Sequence, residues 1–271
     1  MNLIEIKKTK NSKEENFPVG SRLISKKFRS QILIFYDFAR AADDIADSPN
    51  LTSKEKIKRL NLFKKNLEKE KPNLTKIIKL KQVCQKNKIS LNHAFNLLKA
   101  FKQDALKNRY KNWAELIGYC KYSAVPVGRF VVDLHGEKKE AYKFSDPLCI
   151  ALQILNHIQD IKKDYKEINR IYLPHTFIKK YKINLHQIKK NYLDKNMRDA
   201  LNEILFHTEK LIIKANKYKR IMKNNKLSKE TNLILEIAKK LLILLKKNDP
   251  LKNKVVLNKF DYLKCFVKSF L

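Results

Sequence analysis

Acidic residues are scarce in this chain, 27 Asp and Glu against 60 Lys and Arg, so the places where they gather are informative. One such place is Tyr36-Asp-Phe-Ala-Arg40-Ala-Ala-Asp43-Asp44-Ile-Ala-Asp47. On a helix advancing ~100° per residue, positions 36, 40, 43 and 47 fall within an arc of about 60°. A tyrosine, an arginine and two carboxylates then share one stripe. The second place is Asn156-His-Ile-Gln159-Asp160-Ile-Lys-Lys-Asp164, where 156, 160 and 164 are successive i, i+4 neighbours. Like charges one turn apart repel, and two such pairs in apolar helices call for a counter-charge. Mg²⁺ takes carboxylate oxygens together with substrate phosphates and keeps several waters, so two facing Asp pairs suit a metal–diphosphate complex. A di-iron centre in a helical bundle wants Glu-x-x-His ligands, and neither stretch has them. The competing explanation is two solvated helix faces, neutralised by Arg40 and nearby lysines.

A third stretch is Tyr119-Cys-Lys-Tyr122-Ser-Ala-Val-Pro126-Val-Gly128-Arg129. Proline and glycine inside a helix each cost about 1–3 kcal/mol relative to alanine. In so glycine-poor a chain the pair predicts either a kink with a small-residue surface beside something bulky, or close helix–helix packing.

The elements that would carry these residues read as helices throughout. A long one is predicted from about Arg22 to Asp47, stopped by Ser48-Pro49-Asn50. Thr52 with Glu55 forms a capping box for the next, running towards Lys69. Pro72 opens a short helix, Ser90 caps one reaching Lys107, and Asn112 with Glu115 starts one continuing to about Leu134. Ser145-Asp146-Pro147 reads as the opening of a helix to about Tyr165. After a turn through Asn169, Arg170 and Pro174 come shorter helices, then long ones near 197–218 and 228–247, and a last one over 257–271. No strand-like alternation competes, and no linker or repeat interrupts the chain. The expectation is an all-α fold: residues 1–14 a flexible basic arm, and 15–271 one helical domain around a central cavity.

Composition narrows the function. A chain of 271 residues with 44% hydrophobic residues can bury a large core. Four glycines make neither a Gly-x-Gly-x-x-Gly fingerprint nor a phosphate-cradling P-loop, which argues against a nucleotide fold. A net charge of +33 admits nucleic acid, an anionic membrane or a polyanionic substrate as partners. The lysines are spread evenly, with no arginine-rich tract and no aromatic-basic RNA-binding signature, so no nucleic acid is expected. Cys84, Cys120, Cys149 and Cys265 lie far apart and read as reduced, buried thiols. Without a signal-like or membrane-spanning apolar run, a cytoplasmic protein is expected.

Taken together, these stretches resemble the squalene/phytoene synthase family of isoprenoid synthases. The resemblance rests on Tyr36-x-x-x-Arg40-x-x-Asp43-x-x-x-Asp47, Tyr119-Cys-x-Tyr122-x-Ala-x-Pro-Val-Gly128, and Asn156-x-x-Gln159-Asp160-x-x-x-Asp164 followed by Arg170-Ile-Tyr172-Leu-Pro174. Order and spacing agree over roughly residues 14 to 175. Within the family, Glu15-Asn-Phe17-Pro-Val-Gly-Ser21 and Ala41-Ala-Asp43-Asp44-Ile-Ala-Asp47 are most similar to the bacterial hydroxysqualene synthases of squalene and hopanoid pathways. The Ser-x-Ser-Phe motif usual in enzymes condensing two prenyl diphosphates is missing. Two positions depart from the pattern: His157 replaces an aromatic residue after Asn156, and Ile168-Asn169 stands where glycine often precedes the arginine.

The resemblance implies an isoprenoid-synthase bundle in which Asp43, Asp47, Asp160 and Asp164 hold Mg²⁺ against the diphosphate of an isoprenoid substrate. Arg40 and Arg170 would add fixed positive charge, Tyr119 and Tyr122 would line the path of a carbocation, and Tyr36 would be a further catalytic residue. Gln159 or Asn156 would position the quenching water. Phe17, Ser21, Arg22, Val127, Gly128 and Tyr172 would contact substrate. The implied reaction turns presqualene diphosphate and water into hydroxysqualene and diphosphate, without NADPH. Two alternatives stay open: head-to-head prenyl transfer giving presqualene diphosphate, squalene or phytoene, and a non-catalytic assembly factor, for which eroded Asp pairs would be expected. An oily substrate also implies peripheral contact with an anionic inner membrane, for which the helix 228–247 and the tail 260–271 are candidates.

Overall fold

The computed structural model describes residues 17, 19, 21, 23–217 and 222–270, and among them it is helical without strands. The proposed basic arm over 1–14 lies outside the described residues, as does Arg22. The first four helices are α1 (Lys26–Asp47), α2 (Ser53–Glu68), α3 (Thr75–Asn87) and α4 (Asn92–Asp104). They pack on one another around Phe35, Phe38, Ile45, Phe63 and Leu97. Next come α5 (Trp113–Ser123), α6 (Val125–Leu134), α7 (Tyr142–Gln159) and α8 (Ile161–Ile168). The chain continues through α9 (His175–Lys180), α10 (Lys195–Asn216), α11 (Asn225–Lys247) and α12 (Lys259–Lys268). Helix α7 is central to this second group, touching α5, α6, α10 and α11.

The direction of three helices follows from what meets at their ends. Phe28, early in α1, packs its ring 4.3 Å from that of His135, just beyond α6. Glu137 accepts the backbone N–H groups of Lys223 and Asn224 ahead of α11, and α7 starts a few residues after it. At the far side Arg170 reaches Asp47 at the end of α1, and Gln159 at the end of α7 donates to the Val255 carbonyl beyond α11. Thus α1, α7 and α11 run side by side in one sense. The carboxylate-bearing ends of α1 and α7 lie together.

Several boundaries match local chemistry. Thr52 and Glu55 make the expected capping box, and Asn112 accepts from Glu115 N–H at the start of α5. Five expectations need correction. Helix α1 begins at Lys26, with Ser25 as its cap. Pro72 precedes α3, which starts only at Thr75, and Ser90 bonds Asn92 N–H outside α4. The predicted 112–134 helix breaks at Ala124, so Pro126 falls in the first turn of α6, where a missing N–H costs nothing. Finally, α7 starts at Tyr142, ahead of Ser145: a 3₁₀ turn over Lys139–Ala141 leads directly into it. Asp146 is taken by Arg129 in a two-point pair at 2.9 and 2.6 Å, and Ser145 faces Gly128.

Gly128 explains the small-residue stretch. A Cβ there would land on the side chains of Ser145 and Cys149, so α6 and α7 approach closely at this point. Gly128→Ala is expected to destabilise the fold by about 1–3 kcal/mol, because the Ser145 hydroxyl and the Cys149 thiol must both turn away from the new Cβ or α6 and α7 must part. Urea titration of both proteins measures it; an unchanged midpoint would mean α7 yields freely.

Candidate active site

Between α1, α6, α7 and α11 lies a cavity of about 390 Å³. Each helix contributes one stripe. Helix α1 supplies Ile32, Tyr36, Ala39, Arg40 and Asp43; α7 supplies Ser145, Leu148, Cys149, Leu152, Gln153 and Asn156; α6 supplies Val127, Gly128 and Val131. Helix α11 adds Leu227, Glu230, Thr231 and Ile234, while Phe17, Val19 and Ile24 close the approach to α1. Because α1 and α7 run in parallel, the polar members Arg40, Asp43 and Asn156 meet at one end. The wall towards Ile32, Val131 and Leu148 is apolar.

The polar end is rich in charge held by specific partners. Arg40 donates to Asp43 and, from Nε, to Asp44 Oδ1 at 2.9 Å. Arg170 is 4% exposed and donates Nη1 to Asp47 at 2.7 Å and Nη2 to the Asp104 carbonyl at 2.9 Å. Its Nη1 also reaches Tyr172 Oη at 3.3 Å. Burial, reinforced by Asp47, pushes Asp43 up to about 7. Burial, reinforced by Asp160 and Asp47, does the same for Asp164. The two acidic stripes therefore feel one another across the gap between α1 and α8. Asp160 has non-helical geometry (φ −100°, ψ 7°), ends α7 and opens α8, and pairs with Lys254 at 2.9 Å.

Among the described residues no three His, Cys, Asp or Glu side chains stand close enough to enclose a metal ion alone. A hard divalent cation sharing its shell with phosphate and water needs only one or two carboxylates from each side. Hard oxygen donors whose charges repel in a buried setting fit such a cation, which would relieve that repulsion. A pH dependence follows for the metal-free chain. Asp43, Asp164 and the buried Asp104, itself pushed up to about 8 by burial, hold protons more tightly folded than unfolded. The folded state then binds the excess protons, so stability falls as pH rises from about 4 to about 8. Thermal melts in chelator across that range should decline, and a flat profile would refute the buried repulsion.

Of the residues singled out by sequence, Phe17, Tyr36, Arg40, Asp43, Tyr119, Val127, Gly128 and Asn156 line the cavity. Asp47, Asp160, Asp164 and Arg170 cluster beside its polar end through the contacts above. Three others sit elsewhere. Tyr122 turns its ring to Lys99, whose ammonium is 3.9 Å from the ring centre, and lies outside the wall. Gln159 is buried, its Nε2 donating to the Val255 carbonyl at 2.6 Å. Tyr172 lies behind the wall, stacked on His157 with ring centres 3.3 Å apart. Ser21 reaches the site indirectly, donating its N–H and hydroxyl to Glu230.

Sequence reading overlooked two features. One is the buried support behind Tyr119, whose hydroxyl donates to Asp104 at 2.8 Å and whose ring stands 5.3 Å from Tyr110. Burial holds His157 there well below its ordinary range, so it is neutral. The other is Glu230, a buried carboxylate in the cavity wall that burial pushes upward. Its signal was present: an acid in the apolar stripe Leu227-x-x-Glu230-Thr231-x-x-Ile234.

Comparison with known proteins adds a second line. The squalene/phytoene synthase family matches residues 10–261. A hydroxysqualene synthase of Sinorhizobium fredii is 36% identical over 251 residues, covering 93% of this chain and 86% of that protein. A hydroxysqualene synthase of Zymomonas mobilis is 35% identical, covering 94% and 86%. In fold, the chain is similar to the squalene synthase HpnC of Alicyclobacillus acidocaldarius, with TM-score 0.77 and 23% identity over 84% of this chain and 87% of that one. A dehydrosqualene synthase solved with ligand gives TM-score 0.83 at 19% identity, covering 95% and 91%.

Proposed function

The chain belongs to the squalene/phytoene synthase family, and from that premise we propose that it is a hydroxysqualene synthase. The reaction would be presqualene diphosphate plus water giving hydroxysqualene and diphosphate. The observation that carries the reading is the join between a carboxylate-rich polar end and an apolar chamber, in a chain so similar to proteins of that name. Asp43, Asp47, Asp160 and Asp164 would hold Mg²⁺, which when bound supplies Lewis-acid neutralisation of the diphosphate charge.

The protein's own groups supply the rest. Arg40, fixed by Asp43 and Asp44, presents positive charge in the cavity wall to the leaving oxygens. Arg170 acts from behind, holding Asp47 in place. Once the C–O bond breaks, its electron pair leaves with the diphosphate and a cyclopropylcarbinyl cation remains. The π face of Tyr119 lies in the wall with its hydroxyl tied back to Asp104, which suits it to stabilise that cation. Ile32, Leu148 and Leu152 exclude bulk water while the skeleton rearranges. Asn156, in the wall at the polar end, is the amide that would orient the one water admitted; Gln159 does not line the cavity.

The test is incubation of purified protein with Mg²⁺ and either presqualene diphosphate or farnesyl diphosphate, without NADPH, with products identified by mass spectrometry. Hydroxysqualene from the first substrate alone is the expected result. A condensed product from farnesyl diphosphate would replace this reading with head-to-head prenyl transfer.

A further inference from the structure

Helix α12 turns its large apolar side chains the wrong way for a core helix. At ~100° per residue, Phe260, Leu263, Phe266, Val267 and Phe270 fall within an arc of about 120°. They are 61, 58, 42, 55 and 50% exposed. The side packed on the protein carries Asp261, Cys265 and Ser269 instead, all buried. Lys240 of α11 pairs with Asp261 at 2.8 Å, and Asn232 of α11 donates to the Ser269 carbonyl at 3.4 Å. Those α11 positions lie roughly opposite its cavity stripe of Leu227, Glu230 and Ile234, so α12 sits on the outer surface with α11 between it and the chamber.

A contiguous convex apolar patch of this kind marks an interaction surface. Its surroundings decide the partner. Residues 251–270 hold Lys252, Lys259, Lys264 and Lys268, besides Lys254 paired with Asp160, against one acid, Asp261, which already pairs with Lys240. Lys264 and Lys268 follow the apolar arc along one flank, and Lys264 sits 4.3 Å above the Phe260 ring. A second copy of a chain carrying +33 would bring like charge to like charge at such a face. A bilayer with anionic headgroups accepts both halves: the aromatic and aliphatic side chains enter the acyl boundary while the ammonium groups stay at the phosphates.

We propose that α12 is an interfacial helix that lays the protein on anionic membranes. No helix among the described residues is long and apolar enough to cross a bilayer, so this contact is peripheral. Helix α11, the other candidate from sequence, is instead a core helix, with Leu235, Ile237, Ala238 and Leu241 buried. The assignment concerns where the protein sits and is independent of the reaction it performs.

Co-sedimentation of the full chain with phosphatidylcholine vesicles, with and without phosphatidylglycerol, tests it. Binding is expected only to the anionic vesicles, and to weaken with salt. The triple variant Phe260→Ser/Leu263→Ser/Val267→Ser should lose roughly tenfold or more of that binding. The pair Lys264→Glu/Lys268→Glu should lose a similar share, with circular dichroism unchanged in both because every replaced side chain is exposed. Equal binding to neutral vesicles, no binding, or full binding by the triple variant overturns the proposal. So does a dimer in solution that the triple variant dissociates, which would assign the face to a second copy. Activity on detergent-dispersed substrate should survive in all variants, separating a failed docking surface from a failed reaction.

Discussion

Replacing Asp43 with asparagine should lower turnover roughly a hundred- to a thousandfold while the metal-free protein melts no lower than wild type, and even higher above neutral pH. Both effects follow from one carboxylate. Asp43 lies in the cavity wall at its polar end, where burial and Asp47 push it up to about 7. Removing its charge relieves repulsion in a folded chain without ligands and, on the proposed function, also removes an anionic donor for the cation that would neutralise the diphosphate. Asp160→Asn should cost a comparable share of turnover. Steady-state rates, circular dichroism and melts in chelator together separate a catalytic loss from an unfolded protein. Near-full activity in either variant would sink the metal assignment.

Arg170→Met should have the largest effect on stability, about 3–5 kcal/mol, because it leaves the buried Asp104 and Tyr172 and the partly exposed Asp47 without their cation. The guanidinium bonds Asp47, the Asp104 carbonyl and Tyr172, and its Nε lies 3.9 Å from the Asp104 carboxylate. Asp104 is only 4% exposed, so water can do little to replace the guanidinium, and a proton taken up by its carboxyl would offset only part of the loss. Arg129→Met is the comparison. Its pair with Asp146 is two-pronged, yet the arginine side chain is 39% exposed, and the loss should stay below about 1 kcal/mol. Urea unfolding of the two variants measures the contrast. Equal small losses would show that the Arg170 network contributes little to the fold.

The helical class and the α1 stripe were legible because they depend on periodicity within one element: Tyr36, Arg40 and Asp43 share a wall as their spacing requires. Readings that crossed an element boundary fared worse. The i, i+4 relation of Asp160 to Asp164 survives, because Asp164 N–H donates to the Asp160 carbonyl at 2.8 Å, but it does so at a junction of α7 and α8 that the predicted 145–165 helix did not contain. Ser145-Asp146-Pro147 looked like a cap because nothing local reveals that Arg129 claims Asp146. Asp104, Tyr110, Tyr119 and Tyr172 come from separate segments, so their convergence behind the cavity is a tertiary fact with no local signature. Tyr122 was misplaced for a simpler reason. It lies three residues from Tyr119 on a helix that presents only one of the two rings to the chamber.

Lys254 holds Asp160 in an ion pair of 2.9 Å. A tethered ammonium already neutralises that oxygen, so any soluble cation arriving there must exchange with it. Lys254 adjoins Val255, which is bonded to Gln159, and the same stretch leads on to α12. The stretch from Lys254 to Leu257 thus joins the polar end of the cavity directly to the start of α12.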